Sequence, residues 1–75
     1  MRVKINLDTM TDIANFVLAV HYATGKHDQV WVKDTNGSCI NAKSFLGLVA
    51  VRDFNEVWCE SEKDIYSAIK RFEVE

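Results

Sequence analysis

The sequence predicts an α+β fold: an open-faced sandwich in the order βαββαβα, with four antiparallel strands covered on one face by three helices. Three observations predict it. Val3, Ile5 and Leu7 are apolar at every second position, as in a half-buried strand. Two Ser/Thr-x-x-Asp patterns, Thr9 to Asp12 and Ser61 to Asp64, each precede apolar residues spaced by three and four. Asn36-Gly37 lies between two short β-prone runs and reads as a tight hairpin turn. Strands joined by helices need those helices on a sheet face, and a single layer on one side meets that need.

The elements follow in order. After the first strand, Met10, Ile13, Val17 and Val20 form an apolar stripe widened by Ala14 and Phe16. Gly25 is the natural stop, so the first helix is placed at about Met10 to Thr24. Gln29 to Lys33 is β-branched and aromatic, and Asn36-Gly37 returns it into Ser38 to Asn41. Ala42 to Val51 is apolar without alternation, which predicts a short helix near Ser44 to Val49. Asn55 to Glu60 is the fourth strand. Ile65, Ala68, Ile69 and Phe72 then mark a last helix over about Glu62 to Phe72. No repeat, linker or low-complexity segment divides the chain, so residues 1–75 read as one domain.

Composition narrows the function classes. Hydrophobic residues make up 48% and charged residues 27%, with three Gly and no Pro, which excludes a disordered tail or a collagen-like fibre. A domain of this size is expected to have roughly 4–11 kcal/mol of stability. The net charge of −2 and the scattered Lys and Arg give no nucleic-acid footprint. The apolar run Phe16 to Val20 is too short to span a bilayer, and the alternating N-terminus lacks a signal-peptide core. A cytoplasmic protein with reduced thiols is the expectation. Cys39 and Cys59 fall on strands without a CxxC pattern and read as inert buried thiols.

One segment carries a family resemblance. Gly37-Ser38-Cys39-Ile40-Asn41-Ala42-Lys43-Ser44-Phe45-Leu46-Gly47-Leu48 resembles the stretch around the regulatory serine of HPr, the histidine-containing phosphocarrier of the bacterial sugar phosphotransferase system. Phe16-Val17 falls where that family has a similar pair in its first helix, and the predicted element order is the family's own. The resemblance implies a carrier histidine at the start of the first helix, usually within Gly-Leu-His-Ala-Arg-Pro-Ala. Aligned through Phe16-Val17, that stretch is Leu7-Asp8-Thr9-Met10-Thr11-Asp12-Ile13. Thr9 stands at the histidine position, Thr11 at the arginine and Asp12 at the proline. No register helps, because the first histidine of the chain is His21. Asp8 and Asp12 would also compete with a phosphate for the N–H groups of the helix start.

The chain is thus similar to the catabolite-repression type of HPr, in which the carrier histidine is replaced and the serine kept. It is not expected to be an enzyme or a phosphate relay, and no cofactor is expected. Ser44 is the serine that such proteins have phosphorylated by an ATP-dependent kinase, after which they bind a transcriptional regulator of carbon metabolism. The expected partner is therefore a protein, with no nucleic acid or membrane. Lys43 would offset part of the phosphate charge, and Phe45, Leu46 and Val49 would form a docking patch. The alternative is that Ser44 only caps the second helix, the apolar residues belong to the core, and the chain is a silent interaction module.

Other residues read as structural. His21 and His27 lie near the C-terminal end of the first helix, where the dipole favours a cation, and their spacing of six does not make a metal site. Trp31 and Trp58 lie on different strands and read as packing residues or as cover for the open sheet face; an exposed pair would instead mark a partner surface. Asp53, Glu56, Glu60, Glu62 and Asp64 read as a solvated strand edge and helix start.

Overall fold

Alternation at the N-terminus does what it predicts: Val3, Ile5 and Leu7 are buried, while Arg2 and Asn6 face solvent and Lys4 is half-buried. The computed structural model describes residues 1–74. Its elements are β1 (Arg2–Ile5), α1 (Met10–Ala23), β2 (Val30–Lys33), β3 (Cys39–Asn41), α2 (Phe45–Leu48), β4 (Val57–Ser61) and α3 (Tyr66–Ile69). Single 3-10 segments, Val49–Asp53 and Lys70–Phe72, extend α2 and α3. The order βαββαβα stands as expected.

All strand pairs are antiparallel, in the order β1-β4-β2-β3. Register sorts the side chains into two faces. Val3, Cys59, Val32 and Ile40 form one row across the four strands. That row faces the helices and joins Ile13, Phe16, Val17 and Val20 of α1, Leu48 of α2, and Ile69 of α3 in one core. Phe72 closes it, its ring set edge-on to Phe16 at 86° with centroids 5.4 Å apart.

The opposite face of the sheet is open and charged. Its rows are Arg2, Glu60, Trp31 and Asn41, then Lys4, Trp58, Lys33 and Cys39. Glu60 takes both Arg2, at 3.3 Å, and Lys33, at 3.4 Å. Glu56 accepts from Lys4 at 3.2 Å and from the Trp58 indole at 3.3 Å. The Arg2 guanidinium lies 4.0 Å above the Trp58 ring. Both tryptophans are half-buried on this face, as expected. Hydrogen bonds from Lys4 and Trp58 hold the Glu56 carboxyl below its usual range, and the Gly25 N–H does the same for Asp28. Their small contribution to stability is present above the ordinary carboxylate range and lost as pH falls through the lowered values.

Two helix boundaries differ from the sequence reading. The first helix does not end on a left-handed Gly25; among the described residues only Gly37 has positive φ, at 92°. Thr24 stops it instead by turning extended while its hydroxyl donates to the Val20 carbonyl at 2.7 Å. The last helix begins at Tyr66 rather than Glu62. Ser61 is held in β4 opposite Val30, with its hydroxyl donating to the Lys63 carbonyl, so it cannot cap. Asp64 makes the turn, accepting from the Tyr66 N–H at 3.0 Å. The pattern from Ser61 to Asp64 is a strand end followed by a turn.

Candidate functional site

The start of α1 is closed by its own side chains. Thr9 is extended, at φ −124° and ψ 163°, and its hydroxyl accepts from the Asp12 N–H at 3.0 Å. The Asp12 carboxylate accepts in return from the Thr9 N–H at 3.3 Å. This reciprocal capping box satisfies two donors that an anion would need. Asp8 lies just before it and accepts from the Asn6 amide at 3.0 Å. Thr9 and Thr11 are exposed, so both positions face solvent with no nucleophile beyond a hydroxyl. A shallow cleft of about 310 Å³ beside the helix start is lined by Asp12, Asn15 and Arg71. Arg71, which the sequence reading did not single out, is the cation of this cleft; its guanidinium sits 4.8 Å from the Phe72 ring.

Ser44 is the N-cap of α2. Its hydroxyl accepts from the Gly47 N–H at 3.1 Å, and its carbonyl accepts from the Leu48 N–H at 3.0 Å. Gly47 lies in close approach: a Cβ there would sit 3.0 Å from both Ser44 Oγ and Ile40 Cγ2, so those side chains would have to give way. Ser44 is half-buried and spent on a cap, yet open enough to reach solvent.

Lys43 does not sit free beside Ser44. Its ammonium donates to the Gly25 carbonyl at 2.9 Å and the Asp28 carbonyl at 2.6 Å, clamping the loop between α1 and β2. In the unphosphorylated chain its ammonium is held by these two carbonyls. The patch expected from Phe45, Leu46 and Val49 also divides. Phe45 packs against the core and Val49 is half-buried, whereas Leu46 is 84% exposed. Phe45 and Leu46 are neighbours about 100° apart around the helix, so Phe45 can lie against the core while Leu46 points to solvent.

Three further exposed apolar residues lie on α1: Met10 at its first position, Leu18 and Tyr22. Leu18 and Tyr22, four apart on one helix face, are 53% and 88% exposed. The imidazole of His21, between them in sequence, stands 3.3 Å from the Lys43 carbonyl and ties α1 to the start of α2. Leu18 and Tyr22 on α1 and Leu46 on α2 are thus exposed apolar side chains. For Leu18 and Tyr22 the signal in the sequence was their position off the α1 stripe of Ile13, Val17 and Val20.

The thiols separate. Cys59 is buried in the central strand, and burial pushes its thiol up to about 12. Cys39 is exposed on β3, which corrects the expectation that both are buried. Its place in the outward row beside Lys33 decides this, since no helix covers that face. An aromatic disulfide reagent should therefore modify one thiol per chain at neutral pH, the second reacting only in denaturant. Fast reaction of both in the folded protein would contradict the burial of Cys59.

His27 is exposed and borders a cleft of about 660 Å³ with Gln29, Trp31, Glu62 and Lys63. Among the described residues, no group of three His, Cys, Asp or Glu side chains is placed to hold a metal ion, and no helix is long and apolar enough to cross a membrane. No protein-family model, curated protein or solved structure matches the chain.

Proposed function

We propose that the chain is an HPr-like regulatory binding protein, related to the phosphoenolpyruvate-dependent sugar phosphotransferase system, that docks a protein partner and does not relay phosphate through histidine. The capped start of α1 carries this reading. Thr9 and Asp12 are bonded to each other where a carrier site would need an imidazole and free N–H donors. Asp8 and Asp12 oppose an incoming phosphate dianion there, and the single cation of the adjoining cleft is Arg71. Support for docking comes from Leu46 on α2 and Leu18 and Tyr22 on α1, exposed apolar side chains that have no role in the core. The partner is a protein of carbon regulation, and the setting is the cytoplasm.

Ser44 is the proposed switch. A phosphate on its oxygen would put about −1.5 to −2 charges at the first turn of α2, close to the Gly47 N–H it already meets. Lys43, held by the Gly25 and Asp28 carbonyls, would have to leave them to pair with it. The half-buried cap also supports a second reading, a silent interaction module with no phosphorylation. Incubating the purified chain with ATP and an HPr serine kinase, followed by peptide mapping, separates the two. An acid-stable phosphate at Ser44, absent from Ser44→Ala, is the expected result. An unmodified chain leaves the silent module.

A further inference from the structure

The two edges of the sheet are finished differently. At β1 the Lys4 carbonyl accepts from the Val74 N–H at 3.0 Å, and the Asn6 N–H donates to the Phe72 carbonyl at 2.8 Å. Ile5 also forms a bridge with Glu73, so residues 72–74 cover that edge. Arg2 and Lys4 add the charge that commonly protects an edge strand. At β3 neither device is present. No charged residue occurs from Thr35 to Ala42.

The free groups of this edge can be assigned. Asp34 N–H donates to the Ser38 carbonyl at 3.1 Å, and Ala42 N–H donates to the Val30 carbonyl at 2.9 Å. Ser38, Ile40 and Ala42 therefore face β2, and alternation turns the backbone groups of Cys39 and the N–H of Asn41 outward. The Asn41 carbonyl is taken by the Ser44 N–H at 3.0 Å. Among the described residues, nothing covers Cys39, which is exposed.

We propose that β3 pairs antiparallel with β3 of a second copy, Cys39 opposite Cys39, and that the two thiols close to a disulfide in the presence of oxidised glutathione. A second copy fits because the edge is self-complementary: about a twofold axis each Cys39 N–H meets the other copy's Cys39 carbonyl. The neutral stretch lets two copies meet without like-charge repulsion. Hydrogen-bonded antiparallel pairs hold their Cα atoms about 5.5 Å apart, within the roughly 4.4–6.8 Å that a disulfide spans. Both thiols would then lie on the open face, in the row that contains Lys33 and Trp58. An edge of three residues buries far less than the ~1,000 Å² of a stable interface, so the covalent bond sets the lifetime of the pair. The exchange balances. The two Cys39 thiols lose two protons and two electrons, and the glutathione disulfide takes them up as its S–S bond breaks to two thiols. Cys59, in the core, takes no part.

The test treats the full chain with oxidised glutathione and reads intact mass without reductant, beside the variant Cys39→Ser/Ser67→Cys. That variant moves the exposed thiol to α3, where Ser67 is also exposed and no strand edge is available. The original chain should give at least about tenfold more linked dimer, because strand pairing raises the effective concentration of one thiol at the other. Ser38→Lys, which adds a charge to the edge, should cut that yield severalfold without disturbing the helices. Equal dimer yields from the two thiol positions, glutathione-capped monomer alone, or indifference to Ser38→Lys would overturn the proposal.

Discussion

Phe16→Ala should cost about 3–5 kcal/mol, a large share of the roughly 4–11 kcal/mol expected for a domain of this length. Phe16, on α1, is the largest side chain with no exposure, and it belongs to the core cluster shared by the sheet and the helices. Its loss removes the edge-on contact with Phe72, which lies where the chain returns to cover the β1 edge. Seventy-five residues leave few layers able to collapse into the cavity, so both the transfer and cavity costs should be felt. Urea unfolding at 25 °C checks this, with Leu18→Ala as the companion, since Leu18 is 53% exposed and should change stability by under ~0.5 kcal/mol. A cost below about 2 kcal/mol for Phe16→Ala would mean that the core is not centred where the packing places it.

The second large effect concerns chemistry. The double variant Thr9→His/Thr11→Arg should not become a phosphate carrier. It supplies an imidazole and a guanidinium, but Asp8 remains just before the N-cap and Asp12 in the first turn, and their negative charge opposes the phosphoryl group that the helix dipole would otherwise favour. Thr9→His also breaks the hydroxyl half of the capping box. That leaves Asp12 without its reciprocal partner but still beside the helix N–H groups. Transfer from enzyme I and phosphoenolpyruvate, followed by intact mass, should remain at least about a hundredfold below an authentic HPr, given two nearby carboxylates in a partly solvated site. The quadruple variant that also carries Asp8→Ala and Asp12→Ala should improve on it. Robust transfer by the double variant alone would remove the electrostatic basis for silence at this position.

Much of the architecture was legible in local signals. The capping box of α1, the hairpin around Asn36-Gly37 and the alternation of β1 each depend on residues within four positions of one another, and each is present. The hairpin, however, closes through a three-residue loop, Thr35 to Gly37, rather than a two-residue turn. What could not be read depended on contacts between distant segments. Ser61 to Asp64 carries the letters of a second capping box, yet pairing with Val30 holds Ser61 in β4. Cys39 and Cys59 look alike in sequence. Which of them is buried follows from the strand register, through which Cys59 joins Val3 and Val32 on the covered face and Cys39 joins Lys33 on the open one.

The same distinction runs through the candidate site. Thr9 and Ser44 were legible because caps are local devices, and both side chains cap the helices expected. The clamp made by Lys43 was not legible because its partners, the Gly25 and Asp28 carbonyls, lie 18 and 15 residues away in the chain. Phe45 and Leu46 were grouped as one patch, although the four-residue helix sends one inward and the other to solvent. Arg71 came to the α1 start only through the return of the C-terminal segment across β1.

Exposure of the unaltered chain to phosphoenolpyruvate and bacterial enzyme I, with intact mass read before and after mild acid, tests the silent helix start most directly. The capped Thr9–Asp12 arrangement predicts no acid-labile phosphate on any residue. A phosphate that appears with phosphoenolpyruvate and disappears in acid would contradict it, and would make this chain a carrier through a group other than a histidine at the start of α1.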